Sequence, residues 1–333
     1  MSKSEIRQNI LSGEWVVLAP GRVQRPESFA RKEERVRAPK GTCPFEDPQR
    51  SGNGAPVLMY PRDAKQDKWQ LQIINNKFPA FTHEGVCAVS RAHGPYPVRD
   101  AVGYHHVVIT RDHDKTFAKL SSDEAFLVFK AFREDYARLA EDACIDYVSI
   151  FHNWGPKAGA SIYHPHYQIM AIPMIPPGVG RSLQGARRYH KKHKECVHCM
   201  IIRWEKKEKV RVIYENRHAI AFTPFLSRES FEVGVFPKRH QPYFEDTSDA
   251  VLRGVADALR AVLRSLGTKL KDPDLNFYIH AAPANERSSY DYYHWHIGVL
   301  PKMSIFAGFE LGTGIEVAVV DPDDAAKLLR VRR

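Results

Sequence analysis

Two stretches of the chain, HHVVIT (105–110) and FEVGVF (231–236), are apolar strand patterns, and each opens the same series of elements. Each leads to an isolated histidine, His113 in the first series and His240 in the second. Similarity between two parts of one chain is typical of a duplicated structural unit. The two stretches therefore predict a fold built from two related halves.

A helical pattern follows in each half. In the first half, Ser121-Ser122-Asp123-Glu124 has the form of a capping box, and apolar residues then recur at helical spacing as far as Leu139. In the second half, a helix begins near Thr247, and we expect it to stop at Gly267. A strand comes next in both halves, YVSIFHN in the first and NFYIH in the second.

Each half ends with a loop and a strand that carries two histidines, His164 and His166 in the first half and His294 and His296 in the second. The interval from the isolated histidine to the first of the pair is 51 residues (164 − 113) in one half and 54 (294 − 240) in the other. This order predicts an α+β fold with helices packed on one face of an antiparallel sheet. A Pro/Gly turn and a basic helical pattern separate the halves, so we divide the chain into 1–178 and 179–333.

Composition excludes several classes of protein. With 333 residues, 43% of them hydrophobic, the chain can bury a full core and is not a disordered protein. No stretch reaches the ~20 apolar residues of a membrane-spanning helix, and the N terminus lacks the apolar run of a signal peptide. We therefore expect a cytoplasmic protein with no membrane partner. The net charge of +10 attracts polyanions, but the basic runs lack the interleaved aromatic residues of a nucleic-acid groove, so nucleic acid is not an expected partner.

The cysteines indicate metal binding. Five cysteines are few and odd in number for a disulfide framework, which favours metal sites in a reducing compartment. Cys196 and Cys199 form a Cys-x-x-Cys pair before the second unit, a common start to a tetrahedral zinc site. Cys43 and Glu46 stand before the first unit at the same spacing.

Each unit then adds its isolated histidine and its first strand histidine, which completes four ligands. The sequence thus predicts one or two Zn²⁺ ions per chain at two candidate sites, one from Cys43, Glu46, His113 and His164 and the other from Cys196, Cys199, His240 and His294. His280 and His296 are reserve ligands for the second site. The alternative is that these side chains are unrelated core or surface residues.

The strand YHPHYQ (163–168) carries the candidate nucleophile. Alternation along a strand puts His164, His166 and Gln168 on one face. A neutral imidazole is a good nucleophile towards phosphorus near pH 7 when a partner holds its other ring nitrogen. A glutamine donates a hydrogen bond to a phosphate oxygen without adding charge. The nearby loop NWGPKAGAS (153–161) is rich in glycine and small residues, which lets backbone N–H groups approach phosphate.

The other interpretation makes His166 a further zinc ligand or a buried core histidine. An asymmetry between the halves argues against it, because the second half has Gly298 two residues after His296, where the first half has Gln168. Only the first half has the complete set, so we predict that His166 is the nucleophile and Gln168 its catalytic partner.

Six motifs stand in order over nearly the whole chain: LAPGRVQRP (18–26), CPF at Cys43, INNKFPAF (74–81), RDHDKT around His113, HPHxQ and AGFELGTG (307–314). Together they resemble the motifs of the galactose-1-phosphate uridylyltransferases, a branch of the histidine triad superfamily that also includes ADP-sugar phosphorylases. This resemblance implies duplicated histidine-triad-like units, a homodimer, and a ping-pong reaction through a covalent nucleotidyl-His166. It further implies metals that are mainly structural.

The resemblance also implies roles for individual residues. Arg22 and Arg25 would contact phosphate and Asn76 the nucleoside, while Glu310 would face the hexose. The phosphates would be held by Asn153, Gly159, Ser161 and Gln168. The chain departs from the family pattern at Glu46, which replaces a cysteine, and at Tyr167, where a small residue is common.

These observations lead to three hypotheses. The first is a hexose-1-phosphate (galactose-1-phosphate) uridylyltransferase that uses UDP-glucose, with a nucleotide sugar and a sugar 1-phosphate as partners. The second is an ADP-sugar or dinucleoside polyphosphate phosphorylase, in which inorganic phosphate is the acceptor. The wording GFELGTG is closer to this branch. The third, from another class, is a zinc-stabilised nucleotide- or nucleic-acid-binding module.

Overall fold

The structure is a computed structural model that describes residues 4–22, 35–64 and 68–331. In these ranges the strands are β1 (Glu5–Gln8), β2 (Trp15–Leu18), β3 (Leu58–Tyr60), β4 (Leu71–Asn75), β5 (Ser90–His93), β6 (Tyr96–Arg99), β7 (Tyr104–Thr110), β8 (Tyr147–Trp154), β9 (His166–Ile172), β10 (Val212–Glu215), β11 (Ala219–Phe222), β12 (Val233–Pro237), β13 (Leu275–His280), β14 (His296–Pro301) and β15 (Glu316–Ala318). The helices are α1 (Ser122–Ala140), α2 (Pro177–His193), α3 (Val197–Glu208), α4 (Asp249–Leu270), α5 (Gly308–Thr313) and α6 (Pro322–Leu329).

Ten strands form one sheet in the order β10-β11-β12-β14-β13-β8-β9-β7-β4-β3, and all neighbours in it are antiparallel. The two sides of the sheet correspond strand by strand. Outward from the centre, one side gives β13-β14-β12-β11-β10 and the other gives β8-β9-β7-β4-β3. Each half gives five strands, and β13 pairs with β8 where the halves meet. The predicted α+β fold with an antiparallel sheet is confirmed, and the two halves share one sheet.

Helices α1 and α4 pack side by side on one face of this sheet. Strand alternation explains why: on β9, Tyr167, Ile169 and Ala171 are buried in the same cluster as Phe129 and Phe132 of α1. Truncating such a buried aromatic side chain costs about 3–5 kcal/mol of folding free energy. The opposite face of β9 is left for His166 and Gln168.

The helix ends test two sequence predictions. Helix α1 begins with the predicted capping box, in which the Ser121 side chain accepts from the Glu124 N–H. Helix α4 does not stop at Gly267, and the prediction of its end is wrong. It runs to Leu270, which is fully buried, and ends at Lys271 in a left-handed conformation with φ 57°. Burial of Leu270 stabilises the extra turn by more than the ~1 kcal/mol that a helical glycine costs.

The connection between the halves is helix α2, which has the Pro/Gly start and basic end that the sequence predicted. Helix α3 follows and covers the second half of the sheet on the face opposite α4, where Ile202 packs with Ile220 and Phe222. A three-stranded sheet, β1-β2-β15, brings the start of the chain next to its last strand. The division near residue 178 stays a prediction.

Two cysteines depart from the expectation of metal binding. Cys87 and Cys144 form a disulfide that joins the loop before β5 to the loop after α1. They lie 57 residues apart, and tertiary contacts bring their Cα atoms to 5.0 Å, which no local pattern announces. The other three cysteines are free thiols. No helix in the described part of the chain is long and apolar enough to cross a membrane.

Candidate active site and metal centres

His166 begins strand β9 and is 8% exposed. Its Nδ1 lies 2.9 Å from the His164 carbonyl oxygen, so Nδ1–H donates to this oxygen and Nε2 keeps its lone pair. Burial lowers the pKa of His166. The edge of the Phe45 ring packs against the imidazole at a centroid distance of 5.1 Å. The ring is therefore held in the neutral tautomer that a nucleophile requires.

Gln168 lies two residues along β9, on the same face as His166. Its Oε1 is 2.8 Å from Nε2 of His105 on the neighbouring strand β7. Asn76 follows β4 directly, and its Nδ2 is 2.9 Å from the same Nε2. Asn76, the candidate nucleoside contact, and Gln168, a candidate phosphate contact, thus both lie against the imidazole of His105.

The loop after β8 is shaped by its glycines. Gly155 has φ 86°, and a Cβ on it would lie 2.2 Å from an Asp274 carboxylate oxygen. Gly159 has φ 87° and faces Asn153, whose Nδ2 would be 3.7 Å from a Cβ at this position. Both positions require glycine. Ser161 is exposed at the end of the loop.

Residues of the second half hold this loop in place. Asn276 on β13 donates from Nδ2 to the Asn153 Oδ1 and to the Ala158 carbonyl, both at 2.8 Å. Asp274 accepts from the Lys157 N–H at 2.8 Å. Because the Asn153 oxygen is already occupied, its NH₂ group is left to face Gly159. The second half therefore fixes the conformation of the first half's loop.

The first predicted metal site comes together. Cys43, His113 and His164 each offer an atom within 4.8 Å of the other two. The Glu46 Oε1 lies 3.3 Å from Nδ1 of His113 and 3.7 Å from Nδ1 of His164. Both the Glu46 Oε1 and the His113 Nδ1 are buried without a hydrogen-bond partner. Orphaned buried polar atoms of this kind fit a cation.

The second predicted site is a four-residue cluster. Cys196, Cys199, His240 and His294 each offer an atom within 4.8 Å of the others. The Cys199 Sγ lies 3.4 Å from Nδ1 of His240 and 3.5 Å from Nδ1 of His294. The set of two thiols and two imidazoles is typical of a closed tetrahedral zinc site.

All four site histidines are oriented in the same way. The Nε2–H of each donates to a backbone carbonyl, of Ala38 or Thr110 at the first site and of Asp291 or Pro237 at the second. This hydrogen bond fixes the tautomer in which Nδ1 is unprotonated and points at the other ligands. Burial also lowers the pKa of His164 to about 4, which keeps its ring neutral.

The reserve ligands His280 and His296 have a different setting. They are not in the four-residue cluster and line a cavity of about 850 Å³, together with His198 and Gly298 of the second half and residues 8–12 near the N terminus. The lining includes neither His166 nor Gln168. The cavity sits at the position that corresponds to His166 in the duplicated unit, without a carboxamide at 298.

Two predicted contacts, Arg22 and Arg25, fall outside the described side chains, and a third, Glu310, lies in another element of the fold. Arg22 ends a short 3-10 helix, and its side chain is outside the described part of the structure, as is the whole of Arg25. Glu310 lies in α5, where it accepts from the Ala307 N–H, and α5 packs against β15. Within one chain, the hexose contact that the resemblance implies is therefore apart from the strand that carries His166.

Sequence reasoning missed His105, Asn276 and Asp274. The two consecutive histidines at the start of HHVVIT were a signal for His105, since alternation places one of them on the face of His166. Asn276 and Asp274 carried no comparable signal, because their contacts cross from one half to the other.

Comparison with known proteins identifies the family. The model described as "Galactose-1-phosphate uridyl transferase, N-terminal domain" matches residues 1–176. A second model, described as a domain of unknown function, matches residues 100–331. The chain is 31% identical over 330 residues to ADP-glucose phosphorylase from Arabidopsis thaliana, with 98% of this chain and 92% of the relative covered. It is 26% identical over 335 residues to galactose-1-phosphate uridylyltransferase from Thermotoga maritima, with 98% of each covered.

Solved structures agree with these relatives. A crystal structure of an Arabidopsis thaliana ADP-glucose phosphorylase with bound ADP-glucose gives a TM-score of 0.83 at 27% identity, covering 99% of this chain and 100% of that one. A uridylyltransferase structure gives 0.74 at 26% identity, covering 97% and 96%. Since a family model matches more than half of the sequence and a relative of 31% identity spans nearly all of it, the chain belongs to the galactose-1-phosphate uridylyltransferase family.

Proposed function

We propose that the protein transfers a nucleoside monophosphate from a nucleotide sugar through a covalent bond to His166. The observation that carries the proposal is the state of this imidazole. The His166 Nδ1–H donates to the His164 carbonyl oxygen, and burial lowers the pKa of the His166 ring. Its Nε2 is therefore unprotonated near pH 7.

In the first half-reaction, Nε2 of His166 attacks the α-phosphorus. An N–P bond forms, and the bond from phosphorus to the bridging oxygen breaks, which releases sugar 1-phosphate. In the second half-reaction, an acceptor phosphate oxygen attacks the same phosphorus and the N–P bond breaks. The imidazole returns to its neutral form, so no proton has to be stored on the ring between turnovers.

The surrounding residues supply donors for this chemistry. Asn153, Gly159, Ser161 and Gln168 would hold the phosphates, and Arg22 and Arg25 would add positive charge. Asn76 would contact the nucleoside. Support comes from the Asn153 NH₂, which faces the glycine loop because Asn276 occupies its oxygen. Preorganised donors of this kind stabilise charge that develops in the transition state.

For the acceptor we favour inorganic phosphate, as in an ADP-sugar phosphorylase. Identity and TM-score are both higher for the ADP-glucose phosphorylase than for the uridylyltransferases compared above (31% against 26%, and 0.83 against 0.74). UDP-glucose:hexose-1-phosphate uridylyltransferase is the second candidate, since the Thermotoga maritima relative is covered over 98% of its length.

The first half-reaction provides the test of His166. Wild type incubated with ADP-glucose or UDP-glucose alone should gain the mass of one nucleotidyl group, and His166→Asn should gain none while keeping its circular dichroism spectrum. His93→Asn, which changes an exposed histidine on β5, is the matched control and should label like wild type. Labelling of His166→Asn at the wild-type rate would refute the covalent mechanism.

Acceptors are then compared on the labelled enzyme. If inorganic phosphate removes the adenylyl group from His166 and ADP is released, the phosphorylase is supported. Loss of the label to galactose 1-phosphate, with release of UDP-galactose, supports the uridylyltransferase. Nucleotide binding without any label would refute both and favour the binding module.

For the metal we infer zinc at both clusters. The ligand set at the second site is two thiols and two imidazoles, and at the first site Glu46 takes the place of one thiol. Zinc bound by His164 would fix the start of the strand that carries His166. The His164 carbonyl accepts the His166 Nδ1–H, so the metal would help to orient the proposed nucleophile.

We also propose that a second copy of the chain completes the hexose site. Around Glu310, the large apolar side chains of Ile305, Phe309 and Leu311 are exposed by 86%, 50% and 75%. A homodimer would cover these side chains and bring Glu310 to the partner's open face. Light scattering should give a dimer for wild type, and Leu311→Asp should weaken it. A monomeric wild type that turns over normally would refute the shared site.

A further inference from the structure

His105 stands behind Gln168 on the face of the sheet that carries His166. Gln168 of β9 is paired with Val107 of β7, and His105 is two residues from Val107, so the two side chains are diagonal neighbours on one face. His105 is 7% exposed. Its Nε2 lies 2.8 Å from the Gln168 Oε1.

The tautomer of His105 follows from its other nitrogen. Nδ1 accepts the Ala80 N–H at 3.1 Å, so in the neutral ring the proton is on Nε2. Burial lowers the pKa of His105, which keeps the ring neutral near pH 7. The Asn76 Oδ1 accepts the Phe78 N–H at 2.9 Å, so its Nδ2, which lies 2.9 Å from the same Nε2, is a donor and this contact is not a hydrogen bond. The Gln168 oxygen is therefore the acceptor for the ring proton. Asn76 gains no acceptor from His105, and its NH₂ remains available to a nucleotide.

This hydrogen bond decides which end of the Gln168 carboxamide faces the phosphates. With its oxygen turned to His105, Gln168 presents its NH₂ group outward. Turned around, it would place a carbonyl oxygen beside the phosphate anions, and the His105 N–H, which the Asn76 NH₂ already approaches, would lose its acceptor.

We propose that His105 is a positioning residue that holds the Gln168 carboxamide with its N–H donors towards the phosphoryl group that is transferred to His166. The proposal rests on the proposed function of His166. His105 does not touch the reacting atoms and acts through Gln168. Nothing in the sequence motifs assigns it this role.

The test is a double-mutant cycle on the first half-reaction. His105→Phe keeps a ring of similar size and removes the donor, and it should slow single-turnover labelling of His166 about ten-fold, the loss expected for one hydrogen bond. The Kd for the nucleotide sugar should change little. His105→Gln places an amide N–H near the position of Nε2 and should restore most of the rate. In the Gln168→Ala background, His105→Phe should have no further effect.

Three kinetic results would overturn the proposal. These are an unchanged rate in His105→Phe, an equal further loss in the Gln168→Ala background, or failure of His105→Gln to restore any rate while folded. The tautomer is checked without turnover by ¹⁵N chemical shifts of histidine-labelled protein, assigned with His105→Phe, and a proton on Nδ1 would also refute it. Absence of any labelled wild type would refute the proposed function itself, whereas normal labelling with any of these results refutes only the role of His105.

Discussion

His152 makes the protein sensitive to acid in a way that can be measured. It lies on β8 beside strand β9, is 3% exposed, and its Nδ1–H donates to the His166 carbonyl at 2.6 Å. The rings of Tyr167 and Phe277 pack against it at 4.9 and 5.1 Å. Burial lowers the pKa of His152 to about 3. In the unfolded chain the same imidazole has a pKa of about 6.5.

The sign of the effect follows from proton binding. Because the folded pKa is depressed, the unfolded state binds more protons below about pH 6.5, and stability falls as the pH falls from there towards 3. At pH 5 the pH is about 1.5 units below the pKa of the imidazole in the unfolded chain. At about 1.36 kcal/mol per unit, protonation of the unfolded chain lowers the free energy of unfolding by about 2 kcal/mol. Above pH 7 the contribution vanishes, since the ring is neutral in both states.

His152→Asn tests this estimate. Asparagine places an N–H donor near the position of Nδ1 but does not titrate. Between pH 8 and pH 5, wild type should lose about 2 kcal/mol more free energy of unfolding in urea than the variant does. His93→Asn, on the exposed strand β5, should follow wild type at both pH values. Parallel pH profiles for wild type and His152→Asn would show that His152 is not the group responsible.

Three further variants have expected outcomes. Gln168→Ala should slow formation of the nucleotidyl-histidine by ~10²–10³ with little change in nucleotide-sugar binding, because its donor stabilises charge in the transition state. Gln168→Glu should be slower still, since it puts an anion beside the phosphates, and an unchanged rate with weakened binding would move Gln168 to recognition. Cys199→Ser should lose zinc from the second site and lower Tm, because the ligand shell is closed and structural. Full zinc occupancy in that variant would show that the assigned ligands are wrong.

Local and repeated patterns could be predicted well from the sequence. The capping box of α1, the basic helix α2 and the succession of strands and helix along each half all rest on signals within a few residues. The residues of both candidate metal clusters could be predicted to lie together because the spacing recurs, with Glu46 at the position of Cys199. A repeat supplies an internal comparison that a single motif lacks.

Contacts that depend on register or on the pairing of the halves were not predicted. The role of Asn276 depends on β13 lying next to β8, and the Cys87–Cys144 disulfide depends on two loops meeting. The end of α4 was misjudged because the burial of Leu270 outweighs the cost of Gly267. In each case tertiary packing determined the contact or the helix end. Strand alternation and helix propensity alone carry no information about such packing.

The difference between the halves has a packing cause that the sequence shows only as Gly298 in place of Gln168. A Cβ at Gly298 would lie 2.8 Å from the Tyr278 ring. Tyr278 is not free to move aside, because its hydroxyl accepts a hydrogen bond of 2.6 Å from Arg228. His296 keeps the geometry of His166, with Nδ1–H directed at the His294 carbonyl at 3.1 Å. The second half thus retains the oriented imidazole but has no room for a carboxamide beside it. Its Asn276 instead holds the loop of the first half, so the second half contributes to the shape of the site around Gly159.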